Sequence, residues 1–437
     1  MPTFRAPRGT RDVLQADRPA WERLVVLTSD LARRYGYAGI ETPIFEQSAV
    51  FERGVGAVTD IVEKELFRIQ ARTEEAETWS LRPEATAGIV RAYVQHGMRT
   101  LPQPVRVQYA GPMFRYDRPQ AGRYRQFWQW DVEAIGDAGP GIDAEIVEMG
   151  YRFYTEAGLA HVHVLLNSIG DPACRPAYVA ELTAYFEAHR AALPDLELAR
   201  LDANPLRLLD SKDPDMTPLI AAAPRMVDRL CDECRAHFAA VRGHLDALGV
   251  PVRVEPALVR GLDYYTRTAF EYDREGAEGQ QQALGGGGRY DGLVELLGGR
   301  PTPGIGFALG LDRVVLALEE AGIPAPPAPR LAAFVASADP ADSVSRLRIA
   351  TELRAAGLAV RADLGTHRLG RQLEQASREG AHFAVILGDE IRDGTVQLRD
   401  LRAGSQHPVA LADLAREIQR DEVSHRHGHA PTTIPGP

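Results

Sequence analysis

The chain has 437 residues, which at a typical domain size of about 150 residues corresponds to roughly three domains. A hydrophobic fraction of 45% beside a charged fraction of 25% excludes disordered and collagen-like classes, and no apolar run approaches the roughly 20 residues that cross a bilayer. A formal net charge of −10 argues against a general polyanion binder, so partners have to be read from local sites.

The opening MPTFRAPRGTRDVL lacks the apolar core and cleavage site of a signal peptide, and a cytoplasmic location is expected. Residues 20–35 carry apolar side chains at helical spacing and end at Gly36; residues 39–45 then read as a strand interrupted by Pro43, which suggests an edge or an interface. Between Val105 and Gly136 the pattern is strand, polar loop, strand, an antiparallel pair with a long arginine-bearing loop. Residues 169–251 turn to helix formers and form a helical insertion dividing a core of residues 1–168 and 252–325. The proline-rich GIPAPPAPR is a hinge, and residues 326–421 alternate strand and helix as a small α/β domain. The tail, 422–437, lacks apolar periodicity and is expected to be disordered; its His425, His427 and His429 read as an incidental polar run.

Cysteine is scarce. Cys231 and Cys234 form a single C-x-x-C with His237 three residues on, but a closed zinc site needs four ligands and no second pair follows, so no metal site is expected; Cys174 stands alone. Nearly every basic residue is arginine, and three have distinctive settings: Arg115 at the end of an apolar strand, Arg260 in LVRGLDYYTRT, and Arg313 in GIGFALGLDR. Converging guanidinium forks suit a triphosphate, whereas the plain alternative of surface ion pairs is disfavoured by the apolar flanks. LGGGGRYDGL (284–293) lets backbone approach a ligand closely but matches neither a P-loop nor a dinucleotide-binding fingerprint. Glu84 in LRPEATAG, with Gln129 and Glu133 on one face of the strand after the loop, supplies acidic and polar groups that suit a small zwitterion with a basic side chain. A solvated sheet face is the plain alternative.

Taken together, RGTRDVL, YGYAGIETPIFEQ, LRPEATAG, GPMFRYDRPQAGRYRQF, NPLRLLDSK, LVRGLDYYTRTAFEY, LGGGGRYDGL and GIGFALGLDR resemble, in order and over residues 1–421, the landmarks of histidyl-tRNA synthetase, the class II histidine–tRNA ligase. The strings around Arg260 and the glycine run are peculiar to the histidyl members of the class. The resemblance implies an α+β protein: a six-stranded antiparallel catalytic sheet with a helical insertion, followed by an α/β anticodon-binding domain, assembled as a homodimer with the Pro43 region at the interface. It implies ATP as substrate, with Mg2+ arriving on the nucleotide. Arg115 would meet the α-phosphate, Arg123 the distal phosphates, and the adenine would stack between Phe127 and Arg313.

Histidine would be held by Glu84, Ala85, Thr86 and Gln129 around its α-amino group, by Glu133 and Tyr265 at the imidazole, and by Tyr264 along the wall. Arg260 would reach both the histidine carboxylate and the α-phosphate, and Gln120 would help read the extra 5′ guanosine of histidine tRNA. Trp128 and Trp130 depart from the smaller residues often found there, and alternation turns both to the face opposite Gln129. Two rivals follow from the same resemblance. The histidine-sensing regulatory subunit of ATP phosphoribosyltransferase typically lacks the C-terminal domain and parts of the histidyl-specific strings, both whole here. A class II ligase for another amino acid is disfavoured by Glu133 and the Tyr264–Tyr265 pair.

Overall fold

The computed structural model describes residues 4–55, 61–70, 77–120, 122–259, 264–275, 283–327, 330–339 and 341–427; Arg260 and the tail beyond His427 lie outside them. Within them the chain forms two compact units, 1–326 and 327–437, divided inside the proline-rich hinge.

In the first unit, helix α1 (Arg18–Tyr35) starts with a proline in its first turn and ends on Gly36 at φ 75°, a left-handed cap that suits glycine. Helix α2 (Thr86–Gln95) follows the LRPEA turn. The alternation read between 105 and 136 gives strands β1 (Val105–Phe114) and β2 (Gln126–Ile135), antiparallel from Val105↔Ile135 to Phe114↔Gln126. Helix α3 (Pro140–Ala157) and strand β3 (Val162–Ser168) come next. The insertion carries α4 (Arg175–Ala188) and α5 (Asp232–Ala247) with shorter helical segments between them. Strands β4 (Thr266–Arg274), β5 (Ala283–Arg289) and β6 (Gly304–Gly310) and helix α6 (Leu311–Glu320) complete the unit.

The sheet order is β1-β2-β6-β5-β4-β3, all antiparallel, which matches the six strands the resemblance implies. Two short parallel strands extend it, Ala38–Gly39 beside β1 and Val252–Val254 beside β3. Trp130, Val132 and Ala134 turn from β2 into a core shared with Trp21, Ile146 and Phe153, and Trp128 packs edge-on to Trp21 at 6.0 Å. Both tryptophans therefore serve the back of the sheet, leaving the other face for function.

The single strand expected over 39–45 is instead two. Pro43 lacks the N–H that a continuing ladder needs, and after it Phe45–Gln47 joins a separate three-stranded sheet with Trp79–Leu81 and Arg68–Ile69. In the second unit a five-stranded mixed sheet has the order 360–362, 333–337, 383–387, 395–400, 406–410, with parallel pairing at one side and antiparallel at the other. Its last strand, Gln406–Ala410, escapes sequence patterning because Pro408 interrupts it, a residue tolerated at a sheet edge. The final helix, Leu411–His427, runs into the segment expected to be disordered, since extending a formed helix costs far less than starting one.

Candidate active site

The site is assembled on the sheet face opposite the tryptophans. Arg82 is fully buried and ties the LRPEA turn beneath β1: its Nε donates to the Pro112 carbonyl (3.0 Å), its Nη1 to that of Thr42 (2.9 Å), and the Phe114 N–H donates back to the Arg82 carbonyl (2.9 Å). Arg115 adds a bond from Nε to the Pro83 carbonyl (2.8 Å). So anchored, Glu84 is 3% exposed at the entry to α2, where its Oε1 accepts from the Ala87 N–H (3.0 Å) and its Oε2 is buried without a hydrogen-bond partner. Burial raises its pKa, against the lowering effect of that N–H.

Along β2 the residues Phe127, Gln129, Asp131 and Glu133 share this face; at about 3.3 Å per residue, Glu133 lies roughly 20 Å beyond Phe127. The site is therefore long and has two chemically distinct ends. At the far end Glu133 is 1% exposed and doubly held: Thr86 Oγ1 donates to Oε1 (2.6 Å) and the Tyr290 hydroxyl donates to Oε2. Burial pushes its pKa up to about 8. Gln129 Oε1 is buried without a partner, and so are both carboxylate oxygens of Asp131, whose pKa is raised well above the usual range by burial and then by the carboxylates of Glu133 and Glu84.

Tyr264, Tyr265 and Tyr290 wall this end, the first pair 4.7 Å and Tyr264–Tyr290 5.9 Å between ring centroids. Two glycines make the room. A Cβ at Gly306 would fall 1.8 Å from Glu133 Oε2, and one at Gly288 would stand 2.8 Å from the Tyr265 ring. Gly288 in the glycine run and Gly306 on β6 thus make space for side chains.

The near end is cationic. Arg115 lies over the Phe127 ring at 5.2 Å, and Arg313, in the first turn of α6, donates from Nη1 to the Ala283 carbonyl (2.7 Å). Burial lowers the pKa of both, and for Arg313 the charges of Arg115 and Arg123 lower it further. Arg123 in the loop pairs with Glu65 (3.3 Å) and Asp117. The N-terminal landmark braces this end: Arg11 pairs with Asp312 (3.0 Å), whose other oxygen accepts from the Trp128 N–H (2.8 Å), and the Arg125 N–H donates to the Gly9 carbonyl (2.7 Å).

One cavity of about 290 Å³ is lined by Glu84, Thr86, Arg115, Arg123, Phe127, Gln129, Glu133, Tyr264, Tyr265 and Arg313. Ala85 is buried in the packing around α2 and does not line it, and Gln120 is exposed, its backbone paired with that of Arg123. Sequence reading missed Tyr290, Glu271, Tyr124 and Asp312, which also line the cavity. Tyr290 stood inside the quoted glycine string, but its role depends on a contact across the sheet.

A six-stranded antiparallel sheet with an arginine-bearing hairpin loop at one end of a deep cavity, joined in one chain to a separate α/β unit, is the architecture of a class II aminoacyl-tRNA synthetase. Family models agree: residues 9–314 match histidyl-tRNA synthetase and residues 339–421 match the anticodon binding domain. The chain is 47% identical over 412 residues to the histidine–tRNA ligase of Anaeromyxobacter dehalogenans (94% of this chain, 98% of the relative) and 44% identical over 418 residues to that of Dehalococcoides mccartyi (95% and 99%). Among solved structures, apo histidyl-tRNA synthetase of S. aureus superposes with a TM-score of 0.80 at 35% identity, covering 95% of this chain and 100% of that one. The protein belongs to the histidyl-tRNA synthetase family. A Bacillus halodurans structure titled as an ATP phosphoribosyltransferase regulatory subunit/histidyl-tRNA synthetase shares the fold at a TM-score of 0.63 and 21% identity.

Proposed function

We propose that the cavity joins L-histidine to ATP as histidyl-adenylate and passes the histidyl group to histidine tRNA, with the amino acid at the acidic end and the nucleotide at the arginine end. The observation that carries this reading is the polarity of one strand face, from Phe127 beside Arg115 to Glu133 between Thr86 and Tyr290. The orphaned oxygens of Glu84 and Gln129 suit an incoming α-ammonium group, which supplies the donors they lack. Glu133 takes one imidazole N–H and Tyr265 the other ring nitrogen, with Tyr264 against the ring edge. An apolar analogue would leave these buried groups unpaired, which costs orders of magnitude in specificity.

ATP lies with its adenine between Phe127 and Arg313, its α-phosphate at Arg115 and its distal phosphates at Arg123. Arg260, outside the described residues, keeps the role the resemblance implies, between the histidine carboxylate and the α-phosphate. Glu271, whose carboxylate lines the same cavity, would supply an oxygen ligand to Mg2+ brought by the nucleotide, and the ion when bound would neutralise phosphate charge.

The histidine carboxylate attacks the α-phosphorus in line and pyrophosphate leaves. Charge that grows on the equatorial oxygens meets guanidinium groups already fixed by backbone carbonyls, so positioning and electrostatics carry the step without a general base. A terminal ribose hydroxyl of the tRNA then attacks the adenylate carbonyl. Gln120, exposed on the loop, is placed to read the 5′ guanosine, and Ala85 acts through the turn it belongs to. Residues 326–421 bind the anticodon. The enzyme works as a cytoplasmic homodimer, and the exposed Ile44, Phe45, Ile69 and Trp79 beside Pro43 supply an apolar surface for the partner. No helix among the described residues is long and apolar enough to cross a membrane.

Purified protein is expected to exchange labelled pyrophosphate into ATP only when histidine is present. Histidine binding without exchange would point instead to a sensor.

A further inference from the structure

The C-x-x-C that sequence spacing left without partners is not isolated in space. Asp171 and Cys174, at the start of the insertion, meet Cys231 and Cys234, and the four ligand atoms all lie within 4.8 Å of one another. His237, the obvious sequence neighbour, is turned away: its Nε2 lies 2.8 Å from Asp143 in a buried network with Thr268 and Arg289. Spacing along the chain shows neither Asp171 nor Cys174 beside the C-x-x-C.

We propose that Asp171, Cys174, Cys231 and Cys234 form a structural Zn2+ site that staples the helical insertion to the catalytic sheet. Zinc bonds of about 2.3 Å to sulfur and 2.0 Å to oxygen make a tetrahedron with edges of about 3.8 Å between sulfurs and about 3.5 Å from sulfur to oxygen. Two edges already have these lengths: Cys174 Sγ is 3.9 Å from Cys234 Sγ and 3.5 Å from Asp171 Oδ1. Four protein ligands leave no open position, which marks a structural rather than a catalytic site.

The surroundings suit an anionic cluster. Three thiolates and a carboxylate exceed the charge of Zn2+ by two. Cys174 and Cys231 sit at the N-caps of α4 and α5, whose positive ends point toward the cluster, and Arg267 Nη2 holds the outer oxygen of Asp171 at 3.2 Å. Cys174 and Cys234 are buried and Cys231 is half-buried, which leaves one side open for the ion to enter. Gly170, at φ 67°, has no room for a side chain: a Cβ there would stand 2.9 Å from Cys174 Sγ and 2.3 Å from Met226.

What the staple would hold follows from the backbone. Arg267 donates its N–H to Gly170 (2.7 Å) and accepts from Ile169 (2.8 Å), while Arg175 Nη2 donates to the Tyr265 carbonyl (2.6 Å). The cluster thus sits behind the tyrosine wall of the cavity and fixes the start of β4. On coordination each thiol gives up its proton, so binding strengthens as pH rises.

The test uses the untagged full-length chain, reduced and then loaded with Co2+ alone in place of zinc. The expected result is one metal ion per chain with intense tetrahedral d–d bands and thiolate-to-cobalt charge-transfer bands, displaced by zinc and lost in Cys234→Ser. The charge-transfer bands separate this site from metal held by the histidines of the tail, which carry no sulfur. Asp171→Asn should keep the sulfur bands, shift the d–d bands and weaken retention. Because the first measurement is made on the unaltered protein, misfolding of a variant does not blunt it. Absence of sulfur-to-cobalt bands, zinc that leaves all three thiols open to alkylation, or a Cys174–Cys234 disulfide in the protein as isolated would each overturn the proposal.

Discussion

The two ends of the cavity are built in opposite ways. At the acidic end, where the proposal seats histidine, the chain satisfies its own key carboxylate: Glu133 has a donor on each oxygen and a glycine cleared to admit it. At the arginine end Arg115, Arg123 and Arg313 are gathered together: burial lowers the pKa of Arg115 and Arg313, the neighbouring guanidinium charges lower that of Arg313 further, and the three are positioned by carbonyls and by the Glu65 and Asp117 carboxylates. On the proposed reading the first end is pre-formed for recognition, whereas the second gathers positive charge that an incoming triphosphate would neutralise. Specificity and rate should therefore be separable by mutation.

The largest effect is expected at the cationic end. Arg115→Ala should lower histidine-dependent pyrophosphate exchange by about 10²–10³-fold, the usual range for removing a fixed donor from a charge that develops in the transition state, while the denaturation midpoint moves little. Equal loss of activity and stability would make Arg115 a scaffold residue. At the other end Gly306→Ala should weaken histidine binding by about 5- to 150-fold, because the added methyl competes directly with Glu133 Oε2 and overpacking of this kind costs ~1–3 kcal/mol. Steady-state kinetics should place that loss in the KM for histidine, with the KM for ATP nearly unchanged.

Titration sharpens the contrast further. Glu133 ionises near pH 8 in the folded protein against an ordinary value of 4.5, so the native state keeps a proton that the unfolded chain releases. Its contribution to stability is complete below about pH 4.5 and is lost as pH rises toward 8, with a slope of at most about 1.4 kcal/mol per pH unit. Denaturation midpoints of the ligand-free protein should fall across this window, and Glu133→Gln should flatten the fall. Asp131→Asn is the smallest change: burial already favours the neutral form of its carboxyl, so the amide should shift stability and exchange by less than about 1 kcal/mol and a few-fold. A large loss of exchange would show that Asp131 works as an anion.

How much of this could be read from the sequence depends on the distance over which each feature acts. The β1–β2 hairpin and the Phe127–Gln129–Glu133 face were legible because strand alternation is local and fixes which side chains share a side. Arg115 and Arg313 were legible from their apolar flanks, whereas Arg123, in a polar loop, was named only through the resemblance. Tyr290 was not, since nothing near it in the chain reveals that β6 and β5 bring it to Glu133. The same holds for Cys174 and Cys234, 60 residues apart and brought together by the insertion's fold. Proline misled twice at strands: Pro43 split one expected strand between two sheets, and Pro408 concealed an edge strand.

Separate binding of histidine and of ATP to two variants, followed by calorimetry, probes the division of the cavity most directly. Glu133→Gln is predicted to weaken histidine by up to about 100-fold and leave ATP within a few-fold, since the amide turns a donor toward groups that themselves donate, and leaving buried donors unpaired costs about 1–3 kcal/mol; Arg313→Ala is predicted to do the reverse. If either variant weakens both ligands equally, or if Glu133→Gln leaves histidine affinity intact, the two-ended account is wrong.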